Sequence, residues 1–96
     1  MTKKRTTESP DQDWFVYILR CADDSLYTGI TNDPPRRCKQ HNAGTASRYT
    51  RSRLPVELVY QEPQINRSLA LKREAEIKTL SRQQKKLLIQ AITQMF

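Results

Sequence analysis

The feature that most constrains the fold is an apolar run near the start of the chain, WFVYILR at residues 14–20. A run this short, rich in aromatic and branched side chains, is typical of a strand that is covered on both faces. After the turn-prone residues 21–25, LYTGIT at residues 26–31 predicts a second strand, and the two predict an antiparallel hairpin. Gly29 lies inside the second strand, where a glycine often marks a close approach to the backbone.

The remainder of the chain predicts helices and one further strand. Asn32-Asp33-Pro34 is typical of a helix start, because an Asx side chain can cap the helix and proline suits its first turn. The expected elements are a helix to residue 42, a short helix or loop at 45–53, a strand at 56–61, a helix from residue 66 or 68 to 80, and a last helix that begins with the capping box of residues 81–84. This order predicts an α/β protein of the α+β type, with a small three-stranded antiparallel sheet flanked by helices.

A chain of 96 residues has room for one domain. Residues 1–12 are polar, so we expect them to form a flexible arm, with residues 13–96 as the single domain. No stretch approaches the roughly 20 apolar residues of a membrane span, and the charged start lacks the apolar segment of a signal peptide. We therefore expect a cytoplasmic protein without membrane contact, in which Cys21 and Cys38 stay reduced.

The chain is strongly basic, with a formal net charge of +7 and a pI of about 9.8. Residues 34–53 hold six basic residues and a histidine but no acidic residue. Such a cluster suits a phosphate backbone, whose neutralisation releases counterions, so the expected partner is nucleic acid. The expected substrate-binding residues of this cluster are Arg36, Lys39, Arg48, Arg51 and Arg53. The alternative is a basic surface that only keeps the protein soluble.

Glu74 departs from the pattern of the helix that contains it. On a helical wheel at about 100° per residue, Ala70, Leu71 and Ile77 lie on its side of the helix. A carboxylate at the edge of a core can hold a divalent cation, because Mg²⁺ favours one or two carboxylates with water and phosphate. The alternative is an ordinary surface ion pair with Lys78, one turn further along. The wheel alone leaves both open.

Tyr17, Tyr27, Arg37 and His41 are further candidate catalytic residues. The two tyrosines lie on neighbouring strands of the hairpin, and Arg37 and His41, four residues apart, share one helix face. Hydrolysis of a phosphodiester needs a base for the water, a cation for the developing charge and a metal for the leaving oxygen. Tyrosine, arginine, histidine and glutamate can fill these roles together, although each alone is more often packing or surface.

Two tripeptides of the hairpin and three later positions form a recognisable pattern. Phe15-Val16-Tyr17 and Tyr27-Thr28-Gly29 stand ten residues apart from tyrosine to tyrosine, Arg37 follows Tyr27 by ten residues and His41 by four more, and Ala70-Leu-Lys-Arg-Glu74 lies further on. This pattern resembles the GIY-YIG nuclease superfamily, over residues 14 to about 90. It looks most like the small stand-alone YhbQ-like, or UPF0213, proteins.

The resemblance implies a role for each of the five positions. Tyr17 would help to deprotonate the attacking water, and Tyr27 would orient water or phosphate; which tyrosine is the base stays open, because a free phenol has a pKa near 10. Arg37 would stabilise the charge of the transition state, and His41 would contact phosphate or assist proton transfer. Glu74 would hold one Mg²⁺ or Mn²⁺, and no small-molecule cofactor is expected.

The first tripeptide departs from the family pattern, because Phe15 replaces its glycine and Val16 its isoleucine. Neither position carries a catalytic group, so the resemblance still implies the same chemistry. Gly29, in the second tripeptide, would keep the backbone clear so that this face of the sheet can meet the substrate.

Three functions therefore compete for this chain. The first is a metal-dependent endonuclease acting on nucleic acid, with DNA as the expected substrate and DNA repair or processing as the expected task. The second is a nucleic-acid-binding module that keeps the fold without turnover. The third is an interaction protein whose basic face meets an acidic protein. The presence of Glu74 favours the first over the second, because a carboxylate opposes phosphate binding unless a cation accompanies it.

Overall fold

A computed structural model describes residues 14–95, and the side chains of residues 14–91. The elements are β1 (Trp14–Arg20), β2 (Leu26–Thr31), α1 (Pro34–Asn42), α2 (Arg48–Arg51), β3 (Glu57–Gln64), α3 (Arg67–Lys78) and α4 (Arg82–Met95). The strands form one antiparallel sheet in the order β2-β1-β3. The predicted fold class, a small three-stranded antiparallel sheet with helices, is confirmed. The expected arm, residues 1–12, lies outside the described residues.

Strand β1 is the central strand, and both of its faces are buried. Val16 and Ile18 point to one side, where they pack with Ala70 and Ile77 of α3. Tyr17 and Leu19 point to the other side, into a second cluster that includes Cys21 and Val56. The apolar run of residues 14–20 is therefore a strand covered on both faces, as its composition predicts.

The predicted helix starts are present as hydrogen bonds. The Asp33 carboxylate accepts from the backbone N–H of Arg36 at 3.2 Å, one residue before the proline that opens α1. At the start of α4, the Ser81 hydroxyl accepts from the Gln84 N–H at 3.1 Å, and the Gln84 amide oxygen accepts from the Ser81 N–H at 2.9 Å. These contacts satisfy N–H groups that have no partner inside the helix.

The third strand differs from its prediction. It was expected at residues 56–61, but it runs from Glu57 to Gln64 and so includes Pro63. Proline cannot donate to a neighbouring strand, and it is tolerated here because β3 lies at the edge of the sheet. Within residues 14–95, no helix is both long enough and apolar enough to cross a membrane.

Candidate active site

Tyr17 lies across Gly29 on the face of the sheet opposite α3. The two residues are paired in the register of β1 and β2. A Cβ atom added to Gly29 would lie 2.6 Å from the Tyr17 hydroxyl oxygen, well inside contact distance. The space over this glycine is therefore filled by the phenol of Tyr17. Gly29 was expected to keep the backbone clear for the substrate, but the group that fills the space over it is the Tyr17 side chain.

A directed chain of hydrogen bonds runs from Tyr17 through His41 to Thr50. The Tyr17 hydroxyl lies 2.9 Å from His41 Nε2, and His41 Nδ1 lies 2.8 Å from the Thr50 hydroxyl. We assign the Thr50 proton to the carbonyl of Ser47 at 3.3 Å, and in this arrangement the Thr50 oxygen accepts from His41 Nδ1–H. His41 therefore carries its proton on Nδ1, and Nε2 accepts from the Tyr17 O–H.

Burial controls the protonation of this pair. Burial, together with the nearby Arg37 guanidinium, lowers the pKa of His41 to about 4, so the imidazole is neutral at neutral pH. Burial also raises the pKa of Tyr17 to about 12, with Arg37 acting to lower it and with Tyr27 and Glu74 acting to raise it. The shift of Tyr17 is opposite to the one that a phenolate base would need.

Two further aromatic rings, those of Tyr27 and Tyr49, extend the cluster around the hydrogen-bonded pair. The Tyr27 ring lies 5.1 Å from the His41 ring and 6.4 Å from that of Tyr17, in tilted or edge-on contact. Its other neighbour is Tyr49, which stacks on it at 5.9 Å. Because the His41 ring is fully buried and both of its nitrogens are bonded, it does not belong to the basic surface on which the sequence analysis placed it.

The basic residues predicted to bind substrate fall into two groups. Arg36 and Lys39 on α1 and Arg48 and Arg51 on α2 are exposed. Arg53 is engaged within the protein instead. Its guanidinium lies 3.9 Å from the centre of the Tyr49 ring, and its Nε bonds Asp23 of the β1–β2 turn at 3.0 Å. Arg53 is therefore mainly a brace between that turn and α2.

Arg37 lies half-buried between the hydrogen-bonded pair and the surface. Its guanidinium donates to the Gln40 amide oxygen at 2.9 Å, one turn along α1. It acts on the pKa of both Tyr17 and His41, which places its charge beside them. The same side chain also lines an open groove, so it links the buried pair to solvent.

Glu74 is held close to the sheet by α3. Of the three apolar residues on its side of the helix, Ala70 and Ile77 are fully buried, whereas Leu71 is 40% exposed. The Glu74 side chain is 17% exposed and pairs with Lys78 at 3.4 Å. The ion pair with Lys78 is thus present, and the Glu74 charge also acts to raise the pKa of Tyr17. The role of Glu74 as a ligand of a divalent cation stays a prediction.

The donor set fits a hydrated divalent cation better than a cage built from protein ligands. Among residues 14–91 there is no group of three or more His, Cys, Asp or Glu side chains that could hold a metal. Glu74 is one carboxylate, partly exposed and near the candidate catalytic groups. Mg²⁺ keeps several waters and needs only one or two carboxylates when phosphate oxygens complete its shell, so Glu74 fits this role.

The sequence analysis did not identify two residues of the site. Thr50 lies on the short helix α2 and holds His41, and Tyr49 beside it covers Tyr27. The sequence of this region drew attention only for its positive charge. A threonine and a tyrosine in a basic stretch carry no signal of their own, because their partners lie on other elements.

Comparison with known proteins identifies the family. The family model described as the GIY-YIG catalytic domain matches residues 13–87. The chain therefore belongs to the GIY-YIG family. Its close relatives bear the name UPF0213. One from Staphylococcus epidermidis is 57% identical over 76 residues, which cover 79% of this chain and 93% of that protein. Another, from Natronomonas pharaonis, is 51% identical over 77 residues, which cover 80% of this chain and 91% of that protein.

Two solved structures share the fold. The solution NMR structure of a UPF0213 protein from Bacillus halodurans has 42% sequence identity and a TM-score of 0.53, and the match covers 81% of this chain and 83% of that one. A protein from E. faecalis, also solved by NMR, has 40% identity and a TM-score of 0.55, covering 82% of this chain and 84% of that one. The resemblance to the GIY-YIG superfamily and its UPF0213 members is confirmed.

Proposed function

We propose that this protein is a divalent-metal-dependent endonuclease that hydrolyses phosphodiester bonds in nucleic acid, with DNA as its expected substrate and DNA repair or processing as its expected task. The GIY-YIG catalytic domain supports nuclease chemistry in general. The observation that carries the proposal for this chain is the buried hydrogen-bond chain from Tyr17 through His41 to Thr50, within electrostatic reach of Arg37.

Tyr17 is the tyrosine that fits proton transfer, because its O–H already donates to His41. With a pKa of about 12 it holds its proton at neutral pH, so it does not start as a phenolate. In the proposed step, the attacking water gives a proton to the Tyr17 oxygen while the Tyr17 proton passes to His41 Nε2. The water oxygen bonds to phosphorus, the bond to the leaving oxygen breaks, and that oxygen takes a proton from solvent.

The remaining groups of the site support this step. After the transfer His41 is an imidazolium ion, which the negative charge of a bound phosphate favours, and its Nδ1–H stays bonded to Thr50. Arg37 stabilises the charge that develops on the phosphate oxygens. Tyr27, packed against His41, orients the water or the phosphate. Glu74 is the residue that would hold one Mg²⁺ or Mn²⁺, which when bound shields the phosphate and the leaving oxygen.

The exposed basic residues supply the affinity for nucleic acid. Arg36, Lys39, Arg48 and Arg51 are on α1 and α2, the helices that carry Arg37 and Thr50. Contacts from such residues to phosphates are independent of sequence and weaken as salt rises. We assign this surface to the substrate backbone, with Arg53 contributing less because Asp23 neutralises it.

The alternative is a nucleic-acid-binding module without turnover. Two observations favour it: the Glu74 carboxylate is paired with Lys78, and the pKa of Tyr17 is raised rather than lowered. Under this alternative the basic surface binds nucleic acid, and neither the removal of metal nor the substitution of Glu74 changes that binding.

Metal-dependent cleavage separates the two functions. The wild-type protein, Glu74→Ala and Glu76→Ala are incubated with single-stranded, duplex and branched DNA, in Mg²⁺ and then in EDTA. Glu76 is the matched control, because it lies on the same helix but is exposed and paired with Arg73 at 3.2 Å. We expect wild type and Glu76→Ala to cut in Mg²⁺ alone, and Glu74→Ala to lose activity on the order of 100-fold or more. Equal inactivity of all three proteins on every substrate would refute the nuclease.

A further inference from the structure

An open groove of about 240 Å³ lies beside Arg37 at the surface of the protein. It is built where β1 begins, β2 ends and α1 starts. The residues of its lining that matter here are Trp14, Ile30, Asn32, Arg36, Arg37 and Gln40. Arg37 has a role in the proposed cleavage and Arg36 in the affinity for the substrate backbone, but Trp14, Ile30, Asn32 and Gln40 have no assigned task.

The lining combines three kinds of group that together recognise a nucleotide. The half-buried indole of Trp14 and the side chain of Ile30 give a surface on which a ring can stack, and the Arg67 guanidinium lies 5.8 Å from the centre of the Trp14 ring. The amide of Asn32 can donate and accept hydrogen bonds at the edge of a base, and the NH₂ group of Gln40, whose oxygen accepts from Arg37 at 2.9 Å, can donate there. Arg36 and Arg37 place positive charge at the same groove, where a phosphate would follow.

One carboxylate also lines the groove, and its charge is partly offset. Asp33 accepts from the backbone N–H of Arg36 at 3.2 Å and so caps the positive end of the α1 dipole. The groove thus contains two guanidinium groups against one capping carboxylate. Its electrostatic balance still favours an anionic ligand with a neutral, planar part.

We propose that this groove holds one unpaired nucleobase of the substrate, stacked on Trp14 next to the phosphate that Arg37 contacts. The inference rests on the proposed nuclease function and names its substrate class. A base inside a duplex has both faces stacked and its Watson–Crick edge paired, so it cannot enter without being extruded. The substrate is therefore a strand with unpaired residues, such as a flap, a fork or a loop. Unpaired DNA and RNA share this chemistry.

The groove can be tested directly, because Trp14 is the only tryptophan of the chain. Its fluorescence is followed in EDTA while the protein is titrated with a forked oligonucleotide, a fully paired duplex of equal length, and the same fork with abasic sites in its unpaired arm. We expect saturable quenching by the fork and little by the duplex or the abasic fork. Forks of DNA and of RNA distinguish the two sources of the base.

Two variants test the stacking role without relying on fluorescence. Trp14→Leu is expected to lower the preference for fork over duplex on the order of tenfold, measured by anisotropy of labelled oligonucleotides, because stacking on an aromatic side chain is lost. Trp14→Phe keeps an aromatic ring and should retain most of the preference. Circular dichroism checks that both variants fold, since Trp14 also packs against the core.

Failure of this inference is distinct from failure of the nuclease. If fork and duplex quench Trp14 equally, or if Trp14→Leu keeps the full preference while the protein still cuts, the groove is not a base subsite. If the fork quenches Trp14 but wild type cuts nothing in Mg²⁺, the subsite stands and the endonuclease is refuted.

Discussion

Gly29→Ala is the substitution whose effect the structure defines most closely. The added Cβ atom would lie 2.6 Å from the Tyr17 hydroxyl oxygen, 2.8 Å from Cζ and 3.0 Å from Cε1. Unstrained contacts between such heavy atoms begin at about 3.5 Å, so the phenol must move by roughly 1 Å. Tyr17 is a fully buried side chain within a packed cluster, and it has little space into which to move.

The displacement has consequences for stability and for rate. Overpacking of this kind costs about 1–3 kcal/mol. The movement also lengthens the 2.9 Å hydrogen bond to His41, on which the proposed proton transfer depends. A misplacement of about 1 Å at a reacting group lowers a rate on the order of 100-fold. We therefore expect Gly29→Ala to unfold at lower urea and to cut nucleic acid on the order of 100-fold more slowly, with nearly unchanged binding.

Gly44→Ala is the matched control. Gly44 has a φ of +80°, so alanine there is strained by about 1–2 kcal/mol. Its added Cβ would meet only Arg51, at 3.8 Å, and would leave Tyr17 in place. The two variants should lose comparable stability in urea denaturation, yet only Gly29→Ala should lose cleavage when both are assayed below their unfolding range. Wild-type cleavage and stability in Gly29→Ala would show that the phenol does not lie where the mechanism needs it.

Two further predictions concern the hydrogen-bond chain. Thr50→Val removes the acceptor of the His41 Nδ1–H and leaves a buried donor unpaired. We expect the free energy of unfolding to fall by about 1–3 kcal/mol in urea denaturation and the ¹⁵N shifts of the imidazole to change, with Thr50→Ser close to wild type. Identical ¹⁵N shifts in wild type and Thr50→Val would contradict the assigned tautomer. The pKa of His41 is about 4 in the folded protein, against an ordinary value of 6.5. As the pH falls, the unfolded chain therefore takes up the His41 proton before the folded protein does. The stability that the neutral imidazole contributes is complete above pH 6.5 and falls as the pH drops toward 4. The free energy of unfolding falls by at most about 3 kcal/mol from this source. The free energy of unfolding of His41→Gln should change less with pH than that of wild type between pH 5 and 6.5. Parallel pH profiles of the two proteins would show that the ring is not buried in neutral form.

The sequence predicts most of the fold because its signals are local. The apolar run of β1 and the capping box of α4 act within a few residues, and both are present in the structure. The end of β3 was missed because Pro63 is a strand breaker in general, and only its place at the sheet edge makes it acceptable.

The site was harder to predict because its contacts join distant elements. Helical spacing places Arg37 and His41 on one face of α1. It cannot show that the His41 ring is buried against Tyr17 while the Arg37 side chain is only half-buried. Asp23, thirty positions from Arg53, removes that arginine from the basic surface. The role of Thr50 follows only from its hydrogen bond with His41, nine residues away on another helix. Composition gives the charge of a region, but the pairing of its groups depends on the tertiary structure.

In the proposed cleavage of a phosphodiester bond, Tyr17 passes a proton to His41. Tyr17→Phe keeps the ring over Gly29 and removes only the hydroxyl. Binding of a labelled fork is measured by anisotropy in EDTA, and cleavage of the same fork is measured in Mg²⁺. We expect nearly unchanged binding of the fork, with its cleavage reduced on the order of 100-fold or more. Cleavage at the wild-type rate by a folded Tyr17→Phe protein would contradict it.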